Sequence, residues 1–428
     1  MKFLKESGIK KVKGYGLMEI ITFLITLIFS QKSFYAFLNS QNKGEKNLGK
    51  DAIYTFLGNW LFDWRGFLLK LGGSVVEFLQ TLTRDNRTNV LIVDDSLYSR
   101  SRSKKVELLA RVFDHCTGLY HKGFRMLTFG WSDGASFIPL GFSLLSSAKA
   151  KNRLYESGPE VPENCPGYFR RQEAILPATR VFLQMLDQVL QHVTCFQYVL
   201  FDSWFGVGPL ILGVKQRQRD VICMLKDAPN VYYGYDGKAY KLRELFAAVP
   251  KRKAKNGPVA SVVVYYYGVQ VRIVFVRNQK AKREWLALLS TDTNISDEEI
   301  IRIYGLRWDI EVFFKMCKSF LKLAKEVQGR SYDSMFAHTT IVFMRYILLS
   351  IENRESKDSR ALGGLFYACC DEVQEISFNQ AFLLIMNLLT KTLRDVALLP
   401  EEAINRVVEQ FIADLPYSVA SGLFRQAA

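Results

Sequence analysis

Asp94 in NVLIVDDS and Asp202 in QYVLFDSWF each follow a run of four apolar residues. Glu311 lies in IYGLRWDIEVFFKMCK, among Ile, Leu, Trp and Phe. A carboxylate at the end of a buried strand is unfavourable unless something neutralises it. Three carboxylates brought together repel one another, and divalent cations remove that repulsion. Oxygen donors of this hardness suit Mg2+, with Mn2+ able to substitute. Two such ions can activate a nucleophile and stabilise the leaving oxygen of a phosphodiester. Singly, each Asp could equally cap a helix, since Asp94-Asp95-Ser96 and Asp202-Ser203 both have capping character. The joint arrangement carries the reading. Asp94 is preferred over its neighbour Asp95 because, like Asp202, it is the first residue after its apolar run.

The segment around Glu311 carries a second pattern. From Tyr304 the steps are three to Arg307, four to Glu311 and seven to Lys318. At about 100° per residue these four side chains fall within roughly 60° of one another on a helix. Arg can grip a phosphate with two N–H groups, Lys acts as a point charge, and a Tyr hydroxyl can hydrogen-bond it. Periodicity alone fits a surface helix with a charge ladder through Glu311, Lys315 and Lys318 just as well.

These groups need elements to hold them. Residues 1–86 read as helical, with apolar spacing in EIITFLITLIF, AIYTFLGNWLF and FLLKLGGSVVEFLQTL, and are a candidate DNA-binding region. From residue 87 the pattern changes. VLIV and YVLF read as strands buried on both faces, and GFRMLTFGWSDGASFIPLGFSLL as two strands joined at Ser132–Gly134. Helices through RVFLQMLDQVLQHV and GPLILGVKQRQ, then the strand VICMLK, complete the order expected of an RNase H-like α/β core over 87–225. Residues 226–292, dense in Val and Tyr, read as a β-rich insertion. Residues 293–332 resume the core with the Glu311 helix, and 333–428 read as a helical C-terminal region.

Composition narrows the class. In 428 residues, 57 Lys and Arg against 42 Asp and Glu give a net charge of +15, which favours a polyanionic partner, nucleic acid before membrane. The cations cluster in MKFLKESGIKKVK, in SRSRSKK (99–105), in KRKAK (251–255) and in KAKR (280–283). Arg102 and Lys104 in the second cluster are candidate DNA contacts. From Asp371 onward there are eight acids and four bases, which turns that end away from DNA. Seven cysteines without a CxxC pair, and four histidines without zinc spacing, read as reduced thiols in a cytoplasmic protein. MEIITFLITLIF follows basic residues as a signal peptide would, but Glu19 at its start and the short apolar run read as a buried helix and not a membrane span.

IVDDS, VLFDSWF and the Tyr-x2-Arg-x3-Glu-x6-Lys spacing resemble the catalytic segments of DDE transposases of the insertion-sequence-four type. The resemblance runs from about Asp94 to Lys318. It implies an RNase H-like core broken by a β-rich insertion ahead of the Glu helix. It also implies Asp94, Asp202 and Glu311 as metal-binding triad, with Tyr304, Arg307 and Lys318 on phosphates near the cleaved end. The implied activity is cut-and-paste transposition: Mg2+-dependent cleavage of double-stranded DNA at terminal inverted repeats, then strand transfer. A homodimer on paired ends is implied too, with the C-terminal region as its contact surface. Members place a Trp ahead of the Glu helix, stacked on a base flipped from the cut end. That position maps onto Trp285 in KREWLALLSTD, where packing inside the insertion remains the competing reading. Two other functions stay open: an RNase H-like nuclease without strand transfer, and a DNA-binding derivative that has lost catalysis.

Overall fold

The computed structural model describes residues 2–11, 13–39, 49–83, 87–114, 117–252, 257–278, 285–355, 361–395 and 400–415. The KAKR cluster and residues 253–255 of KRKAK lie outside them. Five helices come first: α1 (Lys2–Glu6), α2 (Leu17–Thr26), α3 (Phe34–Asn39), α4 (Lys50–Leu57) and α5 (Trp64–Thr81). Strands β1 (Val90–Ser99), β2 (Leu109–Asp114), β3 (Leu119–Ser132), β4 (Phe137–Leu145) and β5 (Arg153–Tyr155) follow, then helices α6 (Pro166–Ala174) and α7 (Ala178–Leu190). Strand β6 (Tyr198–Phe201), helix α8 (Gly208–Gln216) and strand β7 (Asp220–Leu225) complete the first part of the core.

The order of pairing identifies the fold. β4, β3, β1, β6 and β7 lie side by side, with β3 antiparallel to both of its neighbours β4 and β1, and β6 and β7 parallel to β1. This is the RNase H-like arrangement expected from the sequence. β1 and β6 run in register up to Val93 opposite Phe201; there β6 ends, while β1 continues to Ser99 paired with β3 alone, so the residues after this pair lie side by side. β3 is long enough to serve twice. Its second half pairs with β1 and β4, and its first half with β2, which the sequence reading had not separated as a strand. Gly123 sits at the changeover with φ +158, where an added Cβ would meet the Tyr98 carbonyl oxygen at 2.2 Å.

The insertion is less separate than its composition suggests. Strands β8 (Tyr233–Tyr235) and β9 (Lys238–Tyr240), helix α9 (Leu242–Ala248), and strands β10 (Pro258–Tyr266), β11 (Val269–Arg277) and β12 (Trp285–Ser290) form it. β12 pairs antiparallel with β7, Leu288 opposite Met224, so the module extends the central sheet to twelve strands. An apolar edge such as β7 is energetically poor when left bare, and β12 satisfies its backbone groups.

Helices α10 (Asp297–Gly305), α11 (Trp308–Ser319), α12 (Tyr332–Glu355), α13 (Leu362–Asp395) and α14 (Glu401–Ala413) close the chain. The single helix expected over Tyr304–Lys318 is two. Gly305, a poor helix former, is followed by i→i−3 bonds from Leu306 to Ile303 and from Arg307 to Tyr304, both 3.0 Å, which tighten the chain into a joint. Leu306 and Arg307 keep right-handed helical angles, so the axis bends without breaking the shared face. The joint rests on the β3–β4 turn. Ser132 donates to Asp309 at 2.5 Å, and a Cβ on Gly134 would meet the Leu306 side chain at 3.2 Å.

The N- and C-terminal helices share one apolar core with the sheet. α12 has the length and apolar content to cross a bilayer, but 89% of its apolar window is buried inside the protein, against α2, α4, α5 and β4. Within it Arg345 is enclosed. Its guanidinium grips Glu326 at 2.9 and 3.1 Å and donates to the Leu24 carbonyl and, at 3.1 Å, to that of Ile25. Burial alone would raise the Glu326 carboxyl, yet Arg345 and His338 hold it below its ordinary value. Removing one member strands a buried charge. Arg345→Ala should therefore cost about 3–5 kcal/mol in urea unfolding. The double variant Arg345→Met, Glu326→Gln should recover much of that loss, and an additive double loss would show that the two side chains are not coupled.

Candidate active site

The ends of β1, β6 and β7 open into one cavity of about 640 Å3. Asp94 follows Val93 within β1, Asp202 follows the last residue of β6, and Lys226 follows the end of β7. α11 crosses this end of the sheet and contributes Glu311, Phe314 and Lys318, while Arg307 enters from the joint before it. Five of the residues expected from the sequence therefore line one pocket: Asp94, Asp202, Arg307, Glu311 and Lys318.

Strand alternation decides which aspartate of the pair faces the helix. Arg307 Nη1 donates to Asp94 Oδ2 at 2.8 Å, and Lys318 Nζ donates to Ser96 Oγ at 2.5 Å. Asp94 and Ser96 are two residues apart and share the face under α11. Asp95, on the other face of β1, also lines the cavity, where it pairs with Arg125 from β3. Asp202 is fixed differently: its Oδ1 accepts the backbone N–H of Trp204 at 2.9 Å, in an Asx turn that aims the carboxylate off the strand end.

Burial pushes the Asp94 carboxyl up to about 7. Arg307 opposes that rise, and the charge on Asp202 adds to it. Burial also raises Asp202, with the neighbouring Asp95 charge adding to the effect and the Trp204 amide opposing it. Arg307 bridges Asp94 to Glu311, with which it pairs one helical turn on. Among the described residues no three acidic, histidine or cysteine side chains stand close enough together to enclose a metal ion. The donor set nonetheless fits a hard divalent cation. It is made of carboxylate oxygens, they repel one another, and a positive charge already lies among them.

Tyr304 does not line the pocket. Its partly buried ring packs 6.0 Å from the Arg307 guanidinium, burial raises its hydroxyl far above the ordinary value, and it supports Arg307 from behind. Arg102 and Lys104 line an adjoining groove. Trp285 lies in the insertion, half-buried, its indole packed against Phe246 at 4.8 Å and, nearly perpendicular, against Phe275 at 4.9 Å. Another tryptophan stands at the site. Trp204 is 45% exposed, lines the acidic pocket, and carries the Arg125 guanidinium 4.8 Å over its ring. The reading from sequence missed Trp204, Arg125 and Lys226. The available signal was position, since Trp204 and Lys226 each come within three residues of a strand end.

The chain matches two family models. Residues 21–242, just over half of it, match the one described as DDE superfamily endonuclease, and residues 177–348 match the transposase DDE domain. No curated protein matches. Among solved structures, a piggyBac transposase synaptic complex with hairpin DNA, determined by cryo-EM, aligns with 97% of this chain and 81% of that one. The identity is 12% and the TM-score 0.45.

The raised Asp94 carboxyl predicts a pH dependence. A cation must displace its proton, so affinity for Mn2+ should fall about tenfold per unit below pH ~7 and level off above it. Calorimetric titration at several pH values measures this, and a flat profile would remove Asp94 from the ligand set. Linkage fixes the sign for stability as well. Folding favours protonated Asp94, so the contribution present at low pH is lost as pH rises through about 7. The stability of Asp94→Asn relative to the parent protein should accordingly rise as pH goes from about 4 to about 7 and stay level above that.

Proposed function

We propose that this chain, which belongs to the DDE superfamily endonuclease family, is a transposase of the insertion-sequence-four type that works by cut-and-paste. The two family matches support a transposase function. The finer reading rests chiefly on one observation: Asp94, Asp202 and Glu311, far apart in sequence, line one cavity with Arg307 and Lys318. Asp94, Asp202 and Glu311 would hold divalent cations, Mg2+ or Mn2+. Bound there, such ions would supply activation of the attacking oxygen and stabilisation of the leaving oxygen at a phosphodiester.

The protein's own groups then have defined work. Arg307, tied to Asp94 and Glu311 without DNA, is the residue best shaped to take two oxygens of a phosphate. When it turns to a phosphate, the same movement frees both carboxylates. DNA and metal should therefore bind with positive coupling, each favouring the conformation the other requires. Tyr304 limits how far the guanidinium can swing, and Lys318, held at Ser96, places a second cation on the α11 side of the strand. Asp94, near half-protonated at neutral pH, gives up its proton from the carboxyl when it becomes a ligand. Cutting both ends of an element calls for two such sites, so two copies of the chain would act on paired ends. Exposed Leu383, Val407 and Phe411 on α13 and α14 are candidates for the contact between them.

A donor plasmid carrying terminal inverted repeats tests the reading. Asp94→Ala, Asp202→Ala and Glu311→Ala should each abolish metal-dependent nicking while retaining most DNA affinity, since phosphate contacts dominate binding. Nicked donor without joined product would favour a plain nuclease, and nicking by all three variants would end the enzyme reading. Arg307→Ala should separate the two roles of that residue. Mn2+ affinity without DNA should rise, while the gain in metal affinity on adding DNA should shrink. A drop in metal affinity without DNA would show that Arg307 does not compete for the carboxylates.

A further inference from the structure

Beside the acidic pocket runs a larger groove of about 1180 Å3. One wall is the end of β1 with the connection that follows it, residues 97–106, and the other is the turn after α11, residues 323–330, with Lys318 between. Leu97 and Lys318 line both cavities, so the groove opens directly into the pocket that holds Asp94 and Glu311. Its lining includes Arg102, Lys104, Lys105, Lys318, Lys325 and Arg330, and no acidic residue among those described.

The fold sorts charge to reach this state. Each wall has an acid at or beside it, and each acid is turned inward. Glu107, 4% exposed, pairs with Arg171, and Glu326, 1% exposed, pairs with Arg345. The walls are also built to hold their shape. The Arg100 guanidinium crosses the groove floor to the Ala324 carbonyl at 3.2 Å, and the Glu107 amide donates to the Arg330 carbonyl at 3.0 Å. Between those two ties, Arg102, Lys104 and Lys105 project from a short, pinned turn. On the opposite wall Lys322 and Ala324 adopt left-handed angles, φ 51 and 63, which turn the chain sharply and expose Lys325.

The groove has little with which to read a base. Its single aromatic, Tyr98, is 1% exposed, and its hydroxyl accepts from Arg100 at 3.3 Å. Stacking platforms are what hold unpaired bases, and cations without them hold the backbone. We propose that this groove is a track for the sugar–phosphate backbone of the DNA strand whose reacting phosphate lies in the acidic pocket, and that it grips without regard to sequence. The proposal rests on the nuclease reading above and adds to it the path of the substrate strand. Selection of element ends then falls to another part of the chain.

Fluorescence anisotropy tests the track with labelled single strands and duplexes of two unrelated sequences, across a salt series. The variant Arg102→Gln, Lys104→Gln, Lys325→Gln should lower the slope of log affinity against log salt by roughly two to three on duplex, equally for both sequences. The conservative Arg102→Lys should leave the slope unchanged, because the track reads charge. A control of equal charge loss at exposed Lys149, Lys151 and Lys238 should change it far less. Thermal melting confirms that the variants fold. An unchanged slope, a loss confined to one sequence, or an equal loss in the control would each overturn the track. Should the parent protein bind and nick DNA while the groove variant keeps its slope, only this inference fails. Should the parent neither bind nor nick, the nuclease reading fails with it.

Discussion

Asp94 within β1 and Asp202 just past β6 each follow the last in-register pair of two adjacent parallel strands, about one strand spacing apart, and the molecule is organised around their repulsion. Val93 opposite Phe201 leaves Asp94 and Asp202 no means of separating without breaking the sheet. The charge has three outlets. Asp94 takes up a proton readily, Arg307 supplies a compensating cation, and the Trp204 amide turns part of Asp202 toward the backbone. A site that must accept positive charge is thus held in a state that already borrows some.

The neighbouring elements follow from this requirement. α11 must cross the strand ends to deliver Arg307 and Glu311, and the β3–β4 turn fixes where it begins through Ser132 and Asp309. Burial raises the Asp309 carboxyl, with Ser132 opposing that and the Asp133 charge adding to it, so the anchor is poorly solvated, as Asp94 and Asp202 are. β7 must keep its place beside β6 to hold the other side of the cavity, and β12 secures its outer edge.

Much of this was legible before any coordinates. An acid directly after VLIV or YVLF marks where a fully buried run gives way to a partly exposed one: β6 ends there, before Asp202, whereas β1 carries on past Asp94 to Ser99, paired with β3. The order of elements from Val90 to Leu225 predicted the RNase H-like pairing. What was not legible depended on tertiary contact. A β-rich composition at 226–292 does not reveal that β12 docks on β7, since backbone pairing leaves no trace in side-chain pattern. The joint at Gly305 was hidden because the helical stripe survives a bend in the axis. Trp285 and Trp204 are chemically identical, and only Phe246 and Phe275 around the first, and the open cavity beside the second, distinguish them.

The bond between Arg307 and Asp94 joins residues 213 apart in the chain. Loop closure over that distance comes late, and domains form as they emerge during synthesis at about 5–20 residues per second. Arg307 leaves the ribosome on the order of 10–40 s after Asp94. For that interval β1 and β6 can pair while the third carboxylate and its helix are still unmade. β7 meanwhile waits bare-edged for β12. Until then the chain lacks Arg307 and Glu311, and the β7 edge is open to mispairing until β12 is made. Its strongest selective pressure on folding should fall on the insertion, which has to close the sheet before anything can be cut.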